Sequence, residues 1–322
     1  MLRLSCSLLT FLLLVACNGD DAGIGESDTD ATSGATTQSS TGATEGSAAT
    51  GEGTTEDIPG GDLRGLIDFT YAPADALIDE PLLGIAGAYR MEALALDNLY
   101  ALVGLQLNLP AAPEALDTVV EYAPLPFDWG KADTWIAAGN GIRLSPPAGA
   151  DGLACLTLAD DDYPLYLAAD SAALDPECAP DPAAWIPASP YDLEIYGGDL
   201  FDDALLRGVV TTPAELVVSA PALDVFDLPI DPGAALDVAW EAGDDAEARV
   251  VIRLWDQYGQ GVVAAAADDG AFSIPAANLA ALSAGPGFLT VARERAHTIN
   301  FSAGQLRVIT RYERWGYVDI LD

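Results

Sequence analysis

Leu236-Asp237-Val238-Ala239-Trp240 and Arg249-Val250-Val251-Ile252-Arg253-Leu254-Trp255 carry the deciding pattern of this chain. In the first, apolar residues fall on every second position, as a β-strand with one buried face requires; a helix would repeat them every three or four. In the second, Val250, Ile252 and Leu254 share one face, and Arg249, Arg253 and Trp255 occupy the other. The same period recurs at Phe272 and Ile274, at Leu289 and Val291, and at Leu306 and Val308, with Arg307 and Arg311 on the opposite parity. Each run is short and bounded by Gly, Pro, Asp or Asn. Residues 276–284 read as one or two helical turns stopped by Gly285 and Pro286. Strands at this spacing predict a β-sandwich over 216–322.

With those residues in hand, the C-terminal half resembles a fibronectin type III or related immunoglobulin-like module. Leu236, Val238 and Trp240 match the L-x-V-x-W of that family's early core strand, and the apolar run 248–255 follows it. The resemblance implies a two-sheet sandwich over 216–322. Phe288 stands near the start of a late strand where such modules place tyrosine, so the hydroxyl of a tyrosine corner is missing there.

Residues 63–215 also read as strands, at 66–71, 100–109, 134–138, 163–167 and 192–196, and 88–99 fits either a strand or a short helix. Prolines at 110, 113, 124, 126, 146, 147, 180, 182, 187 and 190 exclude long helices and keep central strands short. The fold class expected is therefore mostly β. Two β-sandwich-like domains, 63–215 and 216–322, follow a leader at 1–16 and an unstructured segment at 17–62.

The leader has Arg3, an apolar core over residues 8–15 and a small residue, Ala16, before Cys17. Its core is about half the roughly 20 residues that a spanning helix needs. Leu14-Val15-Ala16-Cys17 resembles the lipobox of bacterial lipoproteins. That resemblance implies cleavage before Cys17 and acylation of its thiol, with the lipid as the membrane anchor and an envelope location, outer membrane or cell surface. From Asn18 to Gly61 the only larger apolar residues are Ile24 and Ile58, and there is no Lys or Arg. Such a segment cannot offset its ordering entropy and behaves as a coil with a mean reach of about 35–40 Å. It reads as an acidic tether.

The formal net charge is −37. Residues 63–215 hold 25 acidic and 5 basic side chains, and residues 216–322 hold 15 and 7. A surface of this sign does not bind nucleic acid through its phosphates; it leaves cations, basic proteins and neutral glycans as partners. Solubility in a salty exterior accounts for it without any partner. Cys6 leaves with the leader and Cys17 is lipidated, so Cys155 and Cys178 form an even pair expected to be bridged in an oxidising compartment.

Known catalytic sets are missing. The chain has one histidine, His297, which excludes HExxH zinc sites and leaves one candidate base for a serine triad. It lies among Arg293, Glu294 and Arg295 in a stretch that reads as a turn between strands. Paired carboxylates are abundant, so a glycosidase-like hydrolase in the first domain is the alternative to a non-enzymatic binding protein. Asp160-Asp161-Asp162, Asp202-Asp203 and Asp268-Asp269-Gly270 are weak calcium candidates without EF-hand spacing, the last reading as a hairpin turn. Trp129, Trp135 and Trp185 are candidates for stacking on a glycan or gripping a partner. Arg249, Arg253, Arg307 and Arg311 would make an arginine face, either neutralised by Glu241, Glu294 and Glu313 or open to an acidic partner.

Overall fold

The longest strands set the frame. In a computed structural model, β15 (Gly285–Phe301) and β16 (Gly304–Ile320) run antiparallel over seventeen residues each, from Gly285 opposite Ile320 to Phe301 opposite Gly304. The structure describes residues 63–75, 81–90, 112–123, 141–146, 154–158, 165–168, 182–195, 204–301 and 304–322. All lie in the unit Ile58–Asp322.

The remaining strands are β1 (Leu63–Ala72), β2 (Leu82–Arg90), β3 (Thr118–Tyr122), β4 (Gly141–Ser145), β5 (Ala154–Leu158), β6 (Leu165–Ala168), β7 (Pro190–Ile195) and β8 (Ala204–Thr211). After them come β9 (Val218–Ala220), β10 (Leu228–Ile230), β11 (Leu236–Trp240), β12 (Arg249–Asp256), β13 (Gly261–Ala267) and β14 (Ala271–Ile274). The expectation of a mostly β fold holds. One short helix, α1 (Ala276–Leu279), stands where the helical turns were expected, and Gly285 and Pro286 begin β15 after the connecting residues 280–284.

One sheet has the order β3-β13-β12-β15-β16-β1-β2-β6-β5-β4-β7-β8, with β10 beside the end of β16. A second sheet is β14-β11-β9. Leu236, Val238 and Trp240 of the small sheet share a core with Val250, Ile252 and Leu254 of β12, Leu289 and Val291 of β15, and Val308 and Val318 of β16. This is the sandwich that the alternation at 236–240 and 250–254 requires. Strands from both sides of residue 215 share the large sheet: β1 pairs with β16, and β3 pairs with β13.

Three departures from the sequence reading have physical causes. Arg293, Glu294, Arg295 and His297 do not form a turn; they lie inside β15, where Asp268, Arg249 and Asp245 pair with Arg293, Glu294 and Arg295 in turn. Asp268-Asp269-Gly270 is not a hairpin turn, because β13 pairs with β12 and β3 while β14 pairs with β11, so the segment carries the chain from one sheet to the other. Ala88 belongs to β2, paired with Leu66 of β1, so the stretch from 88 begins as strand. Residues 91–99 are outside the described residues.

Candidate functional site on one face of the large sheet

Arg249, Glu294 and Arg311 are brought into one row by register alone. Arg249 faces Glu294 across β12 and β15, and Glu294 faces Arg311 across β15 and β16. Glu294 is fully buried and bonded from both sides. Arg249 donates to Oε1 at 2.6 Å through Nη2, and Arg311 donates to Oε2 at 3.0 Å through Nε. Arg311 also reaches Asp68 of β1 at 2.5 Å, and Arg253 lies 3.9 Å from Glu294. Arg249 donates through Nη1 to the Pro113 carbonyl at 2.7 Å, tying the segment before β3 onto the row. Arg253, Asp68, Glu294, Arg311 and Glu313 are all buried.

The arginine face is thus closed by carboxylates, as neutralisation requires. Glu294 serves as expected. Asp68, from β1, is a partner that spacing within 216–322 could not show. Glu241 is exposed on the far side and contributes its backbone carbonyl to Arg293 instead. Arg307 keeps a looser pair, 3.5 Å from Glu114, whose side chain is 84% exposed. Beside it opens a cavity of about 210 Å³ lined by Glu114, Glu247, Arg249, Glu294, Ala296 and Arg307.

A second cluster lies on the opposite face, against the small sheet. Arg293 donates to Asp268 at 2.7 and 3.0 Å, to the Glu241 carbonyl at 2.6 Å and to the Glu215 carbonyl, while Trp240 Nε1 donates to Asp268 at 2.8 Å. Asp268 therefore spends both oxygens on protein donors. Its carboxylate is a buried fastening between the two sheets. Among the described residues, no group of three or more His, Cys, Asp and Glu is placed to hold a metal ion.

His297 is half-buried against β8. Its Nε2 lies 3.1 Å from the Thr211 nitrogen and 2.9 Å from the Thr211 carbonyl oxygen, which also accepts from Thr310 at 2.8 Å. Desolvation holds its pKa below the ordinary 6.5, with Arg295 pushing the same way and the Thr211 bond, Glu247 and Asp245 pulling against it. These are the contacts of a strand-to-strand fastener.

Six residues along the large sheet from the ionic row, the same face carries aromatic rings. Trp255 is paired with Phe288, and Phe288 with Tyr317, giving ring centroids 5.5 and 4.9 Å apart. Phe226, from the loop before β10, extends the row with its ring 5.9 Å from Tyr317 and nearly parallel to it. Exposure rises along the row, from 4% at Trp255 to 59% at Phe226. At the buried end Tyr122 of β3 stands opposite Gly261, and burial raises its pKa well above the usual phenol value. Sequence reading missed this row because its members lie far apart in the chain. Only the exposed Phe226 between acidic residues, Asp224 and Asp227, was a visible sign.

The other candidates are placed as follows. Trp185 is 6% exposed and packs in the core, its ring 4.9 Å from Phe69 and stacked 5.3 Å from Tyr71. Next to it Tyr191 is buried, its hydroxyl bonded to the Ala184 carbonyl and the Ile186 amide and its pKa pushed up to about 12 by burial. Cys155 is in β5. Cys17, Trp129, Trp135, Asp160, Asp161, Asp162, Cys178, Asp202 and Asp203 lie outside the described residues.

The chain matches no protein-family model, and no curated protein is similar to it in sequence. Among solved structures it is similar to a 1.5-MDa bacterial ice-binding adhesin, at 10% identity over 80% of this chain and 65% of that one, with a TM-score of 0.19. It is similar to a Ca2+-stabilized, ice-binding adhesin of an Antarctic bacterium at 13% identity, over 83% and 50%, with a TM-score of 0.18. The FN1-FN3 domains of chicken CNTN1 align at 13% identity, over 71% and 77%, with a TM-score of 0.20. This chain spans 65% and 50% of the two adhesin chains. Likenesses at these scores do not establish a common fold.

Proposed function

We propose that this chain is a lipid-anchored protein of the bacterial envelope that holds a β unit on an acidic tether and binds a neutral glycan through its aromatic row. The observation that carries the reading is the row Trp255-Phe288-Tyr317-Phe226, a line of rings across three strands that ends on a side chain 59% exposed. Large apolar side chains are costly to leave in water, and rings in series suit the apolar faces of successive sugars. Asp224, Asp227 and Asp319, all exposed, supply hydroxyl acceptors nearby and repel anionic polymers. The lipobox at 14–17 and the acidic segment after it support the anchor and the tether.

Two measurements test this. On a glycan array, the chain from Asn18 onward should bind neutral glycans, and Phe226→Ala with Tyr317→Ala should lower that binding at least tenfold, about 1.4 kcal/mol. Silence on the array, or binding only to protein, removes the glycan; turnover of a bound glycan would replace this reading with the carboxylate hydrolase. In the cell, Cys17→Ala should abolish labelling with radioactive palmitate and release the protein from membranes. Retention without the cysteine would remove the lipid anchor.

A further inference from the structure

The strand that follows the acidic segment is not at an edge. β1 lies in the interior of the large sheet, between β16 and β2. It runs parallel to β16 in unbroken register, from Leu63 beside Gly304 to Tyr71 beside Tyr312. It is also paired antiparallel to β2, from Arg64 opposite Arg90 to Ala72 opposite Leu82. The chain enters β1 at the end where β16 begins. Tyr317 of the aromatic row lies at the other end of β16, which is about 50 Å long at 3.3 Å per residue.

We infer that β1 and β16 form a shear clamp, by which the protein carries mechanical load between the point where the tether enters at Leu63 and a partner held near Tyr317. This rests on the tether and binding-row reading for its biological use, but the clamp itself is a property of the sheet. Force applied at Leu63 and opposed at the far end of β16 runs along the strands. All the hydrogen bonds on both flanks of β1 are then loaded together, and none opens until many give way. Each is worth only about 1 kcal/mol net, so the geometry of loading decides the resistance. Force that separates Leu63 from Gly304 sideways opens the same pairs one at a time.

Side chains reinforce the lengthwise direction. Sliding β1 along its axis drags Leu66, Ile67 and Phe69, each fully buried, across the core. It also breaks the Asp68–Arg311 pair at 2.5 Å, whose arginine is itself held by Glu294 at 3.0 Å. At the far end β10 runs parallel to β16 over Val318–Ile320, and the Leu321 amide donates to the Ile230 carbonyl at 2.8 Å. The end of β16 that takes the opposing load is therefore also flanked on both sides.

Optical-tweezer unfolding of the full chain tests this, with one handle on its amino terminus. The second handle is placed after Asp322 in one version and inserted between Phe301 and Gly304 in the other, both checked to melt like the parent. At equal loading rate, rupture through the two chain ends should need at least about threefold more force than rupture through the hairpin, since forced unfolding reads the barrier along the pulled direction. Equal forces in the two geometries overturn the clamp. Asp68→Asn should lower the lengthwise force and leave the hairpin-pulled force unchanged; an equal loss in both would show the pair to be merely stabilising and remove it from the clamp. Neither outcome depends on Cys17, whose palmitate labelling reports separately on the anchor.

Discussion

His297 shows how one titratable side chain becomes a reporter of the fold. Its folded-state pKa is depressed below 6.5, chiefly by burial, so the unfolded chain takes up the proton first. Stability from this group is therefore complete above the ordinary imidazole value and falls as pH drops below it. Urea midpoints measured between pH 7.5 and 5.5 should fall more steeply for the parent than for His297→Gln; parallel curves would show that burial does not shift this group. Gly261 makes a different point. A Cβ there would meet the Tyr122 hydroxyl at 2.6 Å and crowd the Leu254 carbonyl, which is backbone and cannot rotate away. Gly261→Ala should cost about 1–3 kcal/mol in chemical denaturation, and Tyr122→Phe in the same background should recover little of it. Neither role was legible in the sequence. His297 sits among charges that read as a turn, and the need for glycine at 261 exists only once β12 and β3 are laid on either side of β13.

At the scale of elements, alternation was legible wherever a strand has one apolar and one polar face. It placed β11, β14 and the middle of β12, because Leu236, Val238, Trp240, Phe272 and Ile274 face a core across a thin sheet. It did not place β13, whose Gly-Val-Val-Ala-Ala-Ala-Ala is buried on both faces through Ala266 and so has no period of two. It also shortened β15 and β16, since buried charges at 293, 294, 311 and 313 mimic the polar punctuation of a loop. Pairing was hidden for a simpler reason: register links Arg249, Glu294, Arg311 and Asp68 from four strands, and no local spacing records that. Breaking such a buried row is expensive because it strands the remaining charges. Glu294→Gln should destabilise the protein by about 3–5 kcal/mol, and a double-mutant cycle between Arg311→Met and Glu294→Gln should show strong coupling. Additive losses would mean the two groups do not act together. Arg307→Ala, whose partner Glu114 is exposed, should cost less than about 1 kcal/mol by the same assay.

For the whole molecule, residues 63–322 carry a formal charge of −28, from 40 acidic and 12 basic side chains, and with the described arginines mostly engaged this leaves a strong surplus of unpaired carboxylates. Self-repulsion of that size opposes the compact state and is screened by salt. The melting temperature should rise when sodium chloride is taken from about 10 mM to about 300 mM, where the Debye length shrinks several-fold. A flat response would mean that the surface charge does not oppose folding. The mostly β class and the sandwich core were readable from composition and alternation, but the joining of strands from both sides of residue 215 into one sheet was not. That joining has a price in time. β1 ends at Ala72, yet its partner β16 begins only at Gly304, and contacts so distant along the chain form late. Until β16 has been synthesised, β1 has an unpaired edge open to other chains. A cell making this protein must therefore shield an incomplete sheet until β16 has emerged, and truncation before β16 should yield aggregate instead of a smaller folded piece.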